Sequence, residues 1–311
     1  MPHTNLIDEY SLYMRGLGRK QSTITTYRYE LALFLKWLQK HQDVSSESLK
    51  ALTSNDIQKY LESITSKSKY AASSLKQKYI CIKSFLGFHN AQIDINKEPG
   101  SKLNESNFPT DQDIKRLLST MLSLEGLTEY QANGRQYIIK RNILLVHLML
   151  SYGLSIHDIT TLSMNDINFG TGIIRPGKGT AISRQVELSK DDQKLLFTYY
   201  KEIPEVLRPR QHTSDTLFVA FDFARLTFRW NYKTNSPQPL SKRSIQEMLK
   251  KESKRANLNV TPTTLRNRFI LNSLRDSIKP QEIKSMLGLK STKTLYPYID
   301  FYNELKSKNR I

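Results

Sequence analysis

Two segments near the C-terminal end carry side chains suited to work on a phosphate. Residues 261–269 read TPTTLRNRF and contain Arg266, and residues 287–298 read LGLKSTKTLYPY and end on Tyr298. A guanidinium offers a planar fork of N–H groups that fits two phosphate oxygens. A third segment, PGKGT at residues 176–180, places Lys178 in a turn. Taken singly, a lysine at a turn is more often solvated than functional, so the order of the three segments is the informative feature.

The order and spacing of these segments resemble the tyrosine recombinase (phage integrase) family. Its boxes run roughly TGLRISEL, SPHTLRHSF and LGH, with a tyrosine nine residues after the last histidine, and SYGLSIHDI at residues 151–159 has the form of the first box. The resemblance implies cleavage of DNA by a tyrosine, through a phosphotyrosine bond and without a metal or other cofactor. It implies that Arg266 is the second arginine, Tyr298 the nucleophile, and Lys178 the donor of a proton to the leaving 5′ oxygen.

Three positions depart from the family pattern. Ser155 stands in place of the first arginine, and Thr263 and Leu289 stand in place of histidines. Loss of one preorganised donor costs on the order of 10²–10³ in rate, so we expect Lys178, Arg266 and Tyr298 to be remnants of an inactive site. His157, two positions beyond Ser155, is expected to point elsewhere on helical spacing. Three other arginines could replace the missing cation, namely Arg175, Arg268 and Arg275.

Basic and hydroxyl side chains gather at expected helix starts and turns. A helix N-terminus favours phosphate because its first N–H groups are unpaired and its dipole is positive there. We therefore predict contact with double-stranded DNA through Arg19, Lys20, Thr23, Arg28, Lys76, Lys78, Lys83, Lys178, Arg184, Lys242, Arg243 and Arg266. The resemblance also leaves open a self-association through the 13 residues after Tyr298.

Composition is that of a folded, strongly basic protein. The 311 residues carry a net charge of +18, and 38% are hydrophobic, which favours a globular partner of a polyanion. Cys81 is the single cysteine, which excludes an internal disulfide and a multi-cysteine zinc site. The longest apolar run, residues 143–154, is too short to span a bilayer. No secretory leader and no small-molecule site are evident, so we expect a cytoplasmic, nucleoid-associated protein that does not enter the membrane.

Hydrophobic periodicity indicates a mainly α fold with one small β-hairpin, in two domains that form a clamp on DNA. Residues 1–95 contain four helical patterns, typical of the family's helical, SAM-like core-binding domain, and Ser22 or Thr23 can cap the second helix. Residues 96–107 are polar, with adjacent proline and glycine, and are predicted to be a linker. Residues 108–311 form the catalytic-type domain, with helix caps at Thr110 and Ser241 and a hairpin turning at residues 176–180. Residues 203–240 show no clear pattern.

Three functional hypotheses follow from this combination. The first is a sequence-specific DNA-binding protein that does not cleave, acting as a transcriptional repressor in a prophage or other mobile element. The second is a divergent, active recombinase, for which Ser155→Arg would bring little gain. The third is an accessory factor that shapes DNA for another recombinase. We expect the first, because the positions of the missing side chains bear on catalysis more than on binding.

Overall fold

The computed structural model describes residues 2–66, 70, 72–91, 102–177 and 183–308. The chain divides into two compact units, Met1–Lys102 and Leu103–Ile311. Most described residues are helical, and the strands are short and antiparallel. The predicted fold class, mainly α with a small antiparallel sheet, is confirmed. The described part contains no helix with both the length and the apolar character that a bilayer crossing requires.

The first unit is helical. Its helices are α1 (Pro2–Gly16), α2 (Gln21–Leu38), α3 (Ser46–Lys50), α4 (Ser54–Thr65) and α5 (Ala72–Phe88). Apolar side chains at helical spacing form one core, in which Tyr10, Leu31, Phe34 and Phe85 are almost fully buried. Two sequence expectations were wrong here. The short helix α3 was missed, and α2 begins at Gln21 after Lys20 rather than being capped by Ser22 or Thr23.

The second unit begins with a 3₁₀ turn and helices α6 (Asp111–Leu122), α7 (Glu129–Leu150) and α8 (Ile156–Thr161). Strands β1 (Ile167–Asn168), β2 (Ile173–Ile174) and β3 (Val186–Glu187) form one antiparallel sheet in the order β1-β2-β3. The predicted hairpin is therefore part of a three-stranded sheet. Its expected turn at residues 176–180 lies partly outside the described residues. Thr110 caps α6 as predicted, by accepting a hydrogen bond from the Asp113 backbone.

The described remainder of the second unit contains one α-helix, two small hairpins and four C-terminal α-helices. Helix α9 (Lys190–Glu202) is followed by two small hairpins, β4 (Phe221–Asp222) with β5 (Thr227–Phe228), and β6 (Trp230–Asn231) with β7 (Ser236–Pro237). These hairpins occupy the segment for which the sequence showed no pattern. Helices α10 (Lys242–Arg255), α11 (Pro262–Arg275), α12 (Pro280–Leu287) and α13 (Tyr296–Ser307) complete the unit, and Ser241 caps α10 as predicted.

The C-terminal helix packs on its own unit. Phe301 and Leu305 of α13 are buried against Phe108 and Leu271, and the rings of Phe108 and Phe301 stack with centroids 4.6 Å apart. This packing places the first turn of α13 next to α11. The described part of the tail, up to residue 308, therefore lies on the body of the same chain, and its use in self-association stays a prediction.

Candidate active site

One cleft of about 370 Å³ in the second unit collects the predicted site positions. Arg266 and Tyr298 line it together with the three departing positions, Ser155, Thr263 and Leu289. Segments that are far apart in sequence thus converge as the motif order predicted. His157, Lys242, Asn267 and Leu287 also line the cleft.

Helix α11 presents Arg266 to the cleft. Thr261 caps this helix by accepting a hydrogen bond from the Thr264 backbone, and Pro262 occupies its first turn, where a missing N–H costs nothing. Leu265 and Phe269 of the same helix are buried. The local sequence therefore fixes both where the helix begins and which face carries the guanidinium.

Tyr298 is partly buried between two apolar clusters and has a fixed hydroxyl. It packs against Leu271 and Phe301 on one side and Leu287 on the other. Its hydroxyl donates a hydrogen bond of 2.8 Å to Oδ1 of Asn267. Burial raises the pKa of the Tyr298 phenol, and the nearby Arg266 charge opposes that rise. The phenol is therefore protonated at neutral pH and lies within the electrostatic reach of Arg266.

The carboxylate of Asp158 holds two guanidinium groups. Its Oδ2 accepts a hydrogen bond of 2.9 Å from Nη2 of Arg184, and Nη1 of Arg266 lies 3.6 Å from the same oxygen. Both arginines also donate hydrogen bonds of 3.1 Å to the carbonyl oxygen of Leu287. Burial raises the pKa of Asp158, but the Arg184 charge and hydrogen bonds from Ser155 outweigh burial and hold that pKa below its ordinary value.

The charge of Arg184 affects the pKa of Arg266. Burial lowers the pKa of the Arg266 guanidinium, Asp158 opposes this, and Arg184 lowers it further. The sequence analysis named Arg184 as a DNA contact but did not place it beside Arg266. Periodicity could not have revealed this neighbour, because Arg184 lies outside any helix or strand.

Ser155 is the N-cap of helix α8. Its hydroxyl accepts a hydrogen bond from the Asp158 backbone and donates one of 2.7 Å to Asp158 Oδ2. The expectation that His157 points away from the cleft was wrong, since His157 lines it. The helical projection fails because Ser155 has extended backbone angles, φ −79° and ψ 159°, and precedes the helix.

None of the three arginines proposed as replacements is shown paired with Asp158. Arg268 is buried and donates a hydrogen bond of 2.7 Å to Asp111. Arg175 is exposed at the end of β2, and Arg275 lies in the last turn of α11. The arginine that pairs with Asp158 beside Arg266 is Arg184. Lys178, the predicted proton donor, lies outside the described residues.

The predicted DNA contacts in the first unit differ in their surroundings. Arg19, Lys20 and Lys83 are exposed, and Thr23 and Lys76 are partly exposed. Lys78 does not fit the prediction, because it is buried and its ammonium lies 2.5 Å from a carboxylate oxygen of Glu30. The sequence analysis grouped Lys78 with Lys76 and Lys83 as DNA contacts. The charge of Lys78 is held inside the unit, where it is not available to a phosphate. Arg28 is partly exposed and forms an ion pair with Asp8.

Two further predicted contacts, Lys242 and Arg243, are the first two residues of helix α10. Lys242 is exposed and lines the cleft, so it adds a cation at the rim of the site. Arg243 is 86% exposed and pairs with Glu247 at 2.8 Å. An exposed pair of this kind contributes little to stability, so Arg243 can exchange its partner. In the described residues no cluster of three or more histidine, cysteine or acidic side chains forms a metal site.

Comparisons with known proteins cover both units. The phage integrase N-terminal SAM-like domain matches residues 7–92, and the phage integrase family matches residues 109–304. Tyrosine recombinase XerA of Pyrococcus horikoshii is 26% identical over 301 residues, which cover 95% of this chain and 89% of the relative. Tyrosine recombinase XerD of Oceanobacillus iheyensis is 22% identical over 294 residues, 94% of this chain and 92% of the relative.

Solved structures show the same fold at low sequence identity. The Tn1549 transposon integrase in complex with circular intermediate DNA has a TM-score of 0.65 at 13% identity, covering 94% of each chain. The XerH site-specific recombinase bound to palindromic difH substrate has a TM-score of 0.61 at 17% identity, covering 93% of this chain and 79% of that chain.

These findings correct one expectation and establish the family. The prediction that the chain is not an enzyme is contradicted, because relatives that match nearly its whole length are named tyrosine recombinases, which are enzymes. The substitutions at Ser155, Thr263 and Leu289 are therefore no sufficient ground for inactivity. The family match over residues 109–304, the matching N-terminal domain and the convergence of the motif positions in one cleft show that this chain belongs to the phage integrase family.

Proposed function

We propose that this chain is a site-specific DNA recombinase that uses Tyr298 as its nucleophile. The observation that carries the proposal is the shared cleft of Tyr298 and Arg266, in which a fixed phenol lies within reach of a buried guanidinium. A phosphodiester placed there meets a nucleophile on one side and a preorganised cation on the other. Preorganised charge of this kind stabilises a developing negative charge without reorganisation at the moment of reaction.

The proposed step is a transesterification at phosphorus. The Tyr298 oxygen forms a bond to phosphorus, the bond from phosphorus to the 5′ oxygen breaks, and the phenol proton passes to solvent. The leaving 5′ oxygen takes up a proton, because an alkoxide is a poor leaving group. The family pattern assigns that donation to Lys178. Attack by a 5′ hydroxyl of another strand on the phosphotyrosine bond reverses the step and completes the exchange.

The proposed substrate is double-stranded DNA at a defined site. The net charge of +18 and the exposed cations Arg19, Lys20, Lys83 and Lys242 support binding to a polyanion. The DNA complexes of the Tn1549 integrase and XerH give the same indication. We assign DNA contact to residues 1–95, a linker role to residues 96–107 and cleavage to residues 108–311. A cytoplasmic, nucleoid-associated location is part of this proposal.

The regulator and accessory-factor hypotheses carry less weight after this comparison. Both started from the missing arginine at Ser155, and the structure places a second guanidinium, that of Arg184, beside Arg266. Control of a promoter remains compatible with site-specific binding. Repression of a reporter by the Tyr298→Phe protein would show such a role independently of strand exchange.

A nicked suicide duplex tests the proposal. The site is first selected from random duplexes, and a nick is then placed so that the fragment released on cleavage diffuses away and the phosphotyrosine bond cannot be reversed. We expect a covalent protein–DNA adduct with the wild type and none with Tyr298→Phe, at unchanged affinity. Tyr302→Phe and Tyr296→Phe are matched controls and should retain the adduct. A wild-type protein that binds its site without an adduct, or an adduct that persists in Tyr298→Phe, would refute the proposal.

A further inference from the structure

Two guanidinium groups share one carboxylate oxygen, and one of them, that of Arg266, lines the cleft that holds Tyr298. We propose that Arg184 supplies the second positive charge at the scissile phosphate, in place of the arginine that Ser155 replaces. The inference rests on the proposed function and adds a residue that the motif positions do not contain. Its basis is the joint anchoring of Arg184 and Arg266 on Asp158 and on the Leu287 carbonyl.

The distances bring the two guanidinium groups close to each other. Nη1 of Arg184 and Nη2 of Arg266 each lie 3.1 Å from the Leu287 carbonyl oxygen, so these two nitrogens are no farther apart than twice that distance. The side chain of Arg184 is 8% exposed and that of Arg266 is 19% exposed. A phosphate that reaches Arg266 therefore enters the field of both charges, in surroundings where water screens them little.

Among the described residues, the charges of Asp158, Arg184 and Arg266 do not balance. Asp158 is the carboxylate shown to pair with Arg184 and Arg266, so one negative charge faces two positive charges. A buried charge without a partner is unfavourable by several kcal/mol. The Nε of Arg184 is also buried without a hydrogen-bond partner among the described residues. A phosphate with its developing negative charge would supply the missing counter-charge.

Two local features keep Arg184 in this place. Ser155 uses its backbone N–H and its hydroxyl to hold Asp158 Oδ2, the same oxygen that receives Arg184. Gly288 ends helix α12 with φ +62°, and a Cβ atom at that position would lie 2.4 Å from Nη1 of Arg184. The serine thus positions the anchor, and the glycine leaves the space for the guanidinium.

The test compares Arg184→Ala and Arg184→Lys with the wild type on the nicked duplex. We expect Arg184→Ala to slow adduct formation by about 10²–10³, with Arg184→Lys in between because a lysine keeps the charge but loses the fork. Site affinity should change far less than the rate. Arg175→Ala, which removes an exposed arginine at the end of β2, is the matched control and should react at the wild-type rate.

A second substrate separates a charge role from a structural one. A methylphosphonate at the scissile position replaces one non-bridging oxygen by a methyl group and removes its negative charge. If Arg184 neutralises that charge, the defect of Arg184→Ala should shrink to about tenfold or less, since the lost donor no longer has a charge to meet. A merely structural role would leave the defect equally large on both substrates.

The outcomes distinguish the two proposals. A wild-type protein that forms no adduct overturns the proposed function and, with it, this inference. If the wild type forms the adduct, and Arg184→Ala and Arg184→Lys form it as fast as Arg175→Ala, the role of Arg184 is overturned and the proposed function is not. Equal defects on phosphate and methylphosphonate also overturn it. Because Arg184→Lys keeps the charge that pairs with Asp158, it preserves the comparison if Arg184→Ala does not fold.

Discussion

Replacing Gly288 by alanine tests whether cleavage requires the space that this glycine leaves for the Arg184 guanidinium. Gly288 has φ +62°, in the left-handed region, and its added Cβ would lie 2.4 Å from Nη1 of Arg184. Cζ and Cδ of that arginine would lie 3.5 Å and 3.7 Å from the added Cβ. The guanidinium end must therefore shift, while the rest of the side chain can stay.

The expected loss of stability has two parts. A non-glycine residue in the left-handed region costs about 1–2 kcal/mol. Displacing Nη1 removes the bond from Arg184 to the Leu287 carbonyl, and a hydrogen bond to a charged group contributes about 1.5–3 kcal/mol. For a unit of this size each kcal/mol lowers Tm by roughly 2–4 °C. The rate of adduct formation should fall by on the order of 10² or more, because a preorganised donor is lost.

Gly126→Ala is the matched control. Gly126 also has a left-handed backbone, φ +72°, but nothing lies within 4 Å of an added Cβ. The Gly126→Ala protein should lose only the stability that a left-handed backbone costs a non-glycine residue, and it should form the adduct at the wild-type rate. Denaturant unfolding and adduct formation on the nicked duplex measure the two effects. If Gly288→Ala reacts as fast as Gly126→Ala, the position of the Arg184 guanidinium is irrelevant to cleavage and the reasoning fails.

Three further predictions concern stability and reactivity. Asp158→Asn should lower the unfolding free energy by about 3–5 kcal/mol, because it leaves buried guanidinium groups unpaired. Because the pKa of Asp158 is lowered in the fold, its contribution is present above about pH 4 and is lost as the pH falls further; unfolding of wild type and Asp158→Asn across pH 3–6 should show a steeper acid loss in the wild type, and equal slopes would contradict this. Lys78→Ala should destabilise by about 3–5 kcal/mol by leaving Glu30 unpaired, whereas Lys83→Ala should change stability by less than about 0.5 kcal/mol and reduce the salt slope of DNA binding by about 1; the reverse pattern in unfolding and salt titrations would refute the assignment. Burial raises the pKa of Cys81 to about 11, so iodoacetamide should modify it at pH 7.5 only after unfolding, and rapid labelling of the native protein would contradict that.

Much of the fold could be predicted because its signals are local. The caps at Thr110 and Ser241 were recognised since a hydroxyl at a helix start satisfies a nearby N–H. The hairpins β4–β5 and β6–β7 were missed because strands of two residues are too short to show alternation. The start of α2 was misplaced because its N-cap residue is Lys20, which has no capping hydroxyl.

The site was predictable in its motif positions and not in its chemistry. Spacing brought Arg266, Tyr298 and the departing positions to one cleft, as expected. The prediction that the chain is not an enzyme is contradicted by relatives named as tyrosine recombinases. It rested on the missing arginine at Ser155, and the sequence did not reveal that Arg184 lies beside Asp158. A guanidinium can reach the same carboxylate from a distant part of the chain, and Arg184 arrives there from 26 residues beyond Asp158. Such a replacement leaves no periodic trace in a single sequence.

Because Arg184 and Arg266 share one oxygen of Asp158, the effect of Ser155→Arg should depend on whether Arg184 has already been replaced. An arginine introduced at position 155 would remove the N-cap of α8, worth about 1 kcal/mol, and would add a third guanidinium to a carboxylate that already holds two. In the wild-type protein the Ser155→Arg substitution should therefore be harmful. Once Arg184 is replaced, the same change should become beneficial, so the sign of its effect depends on a residue in another segment.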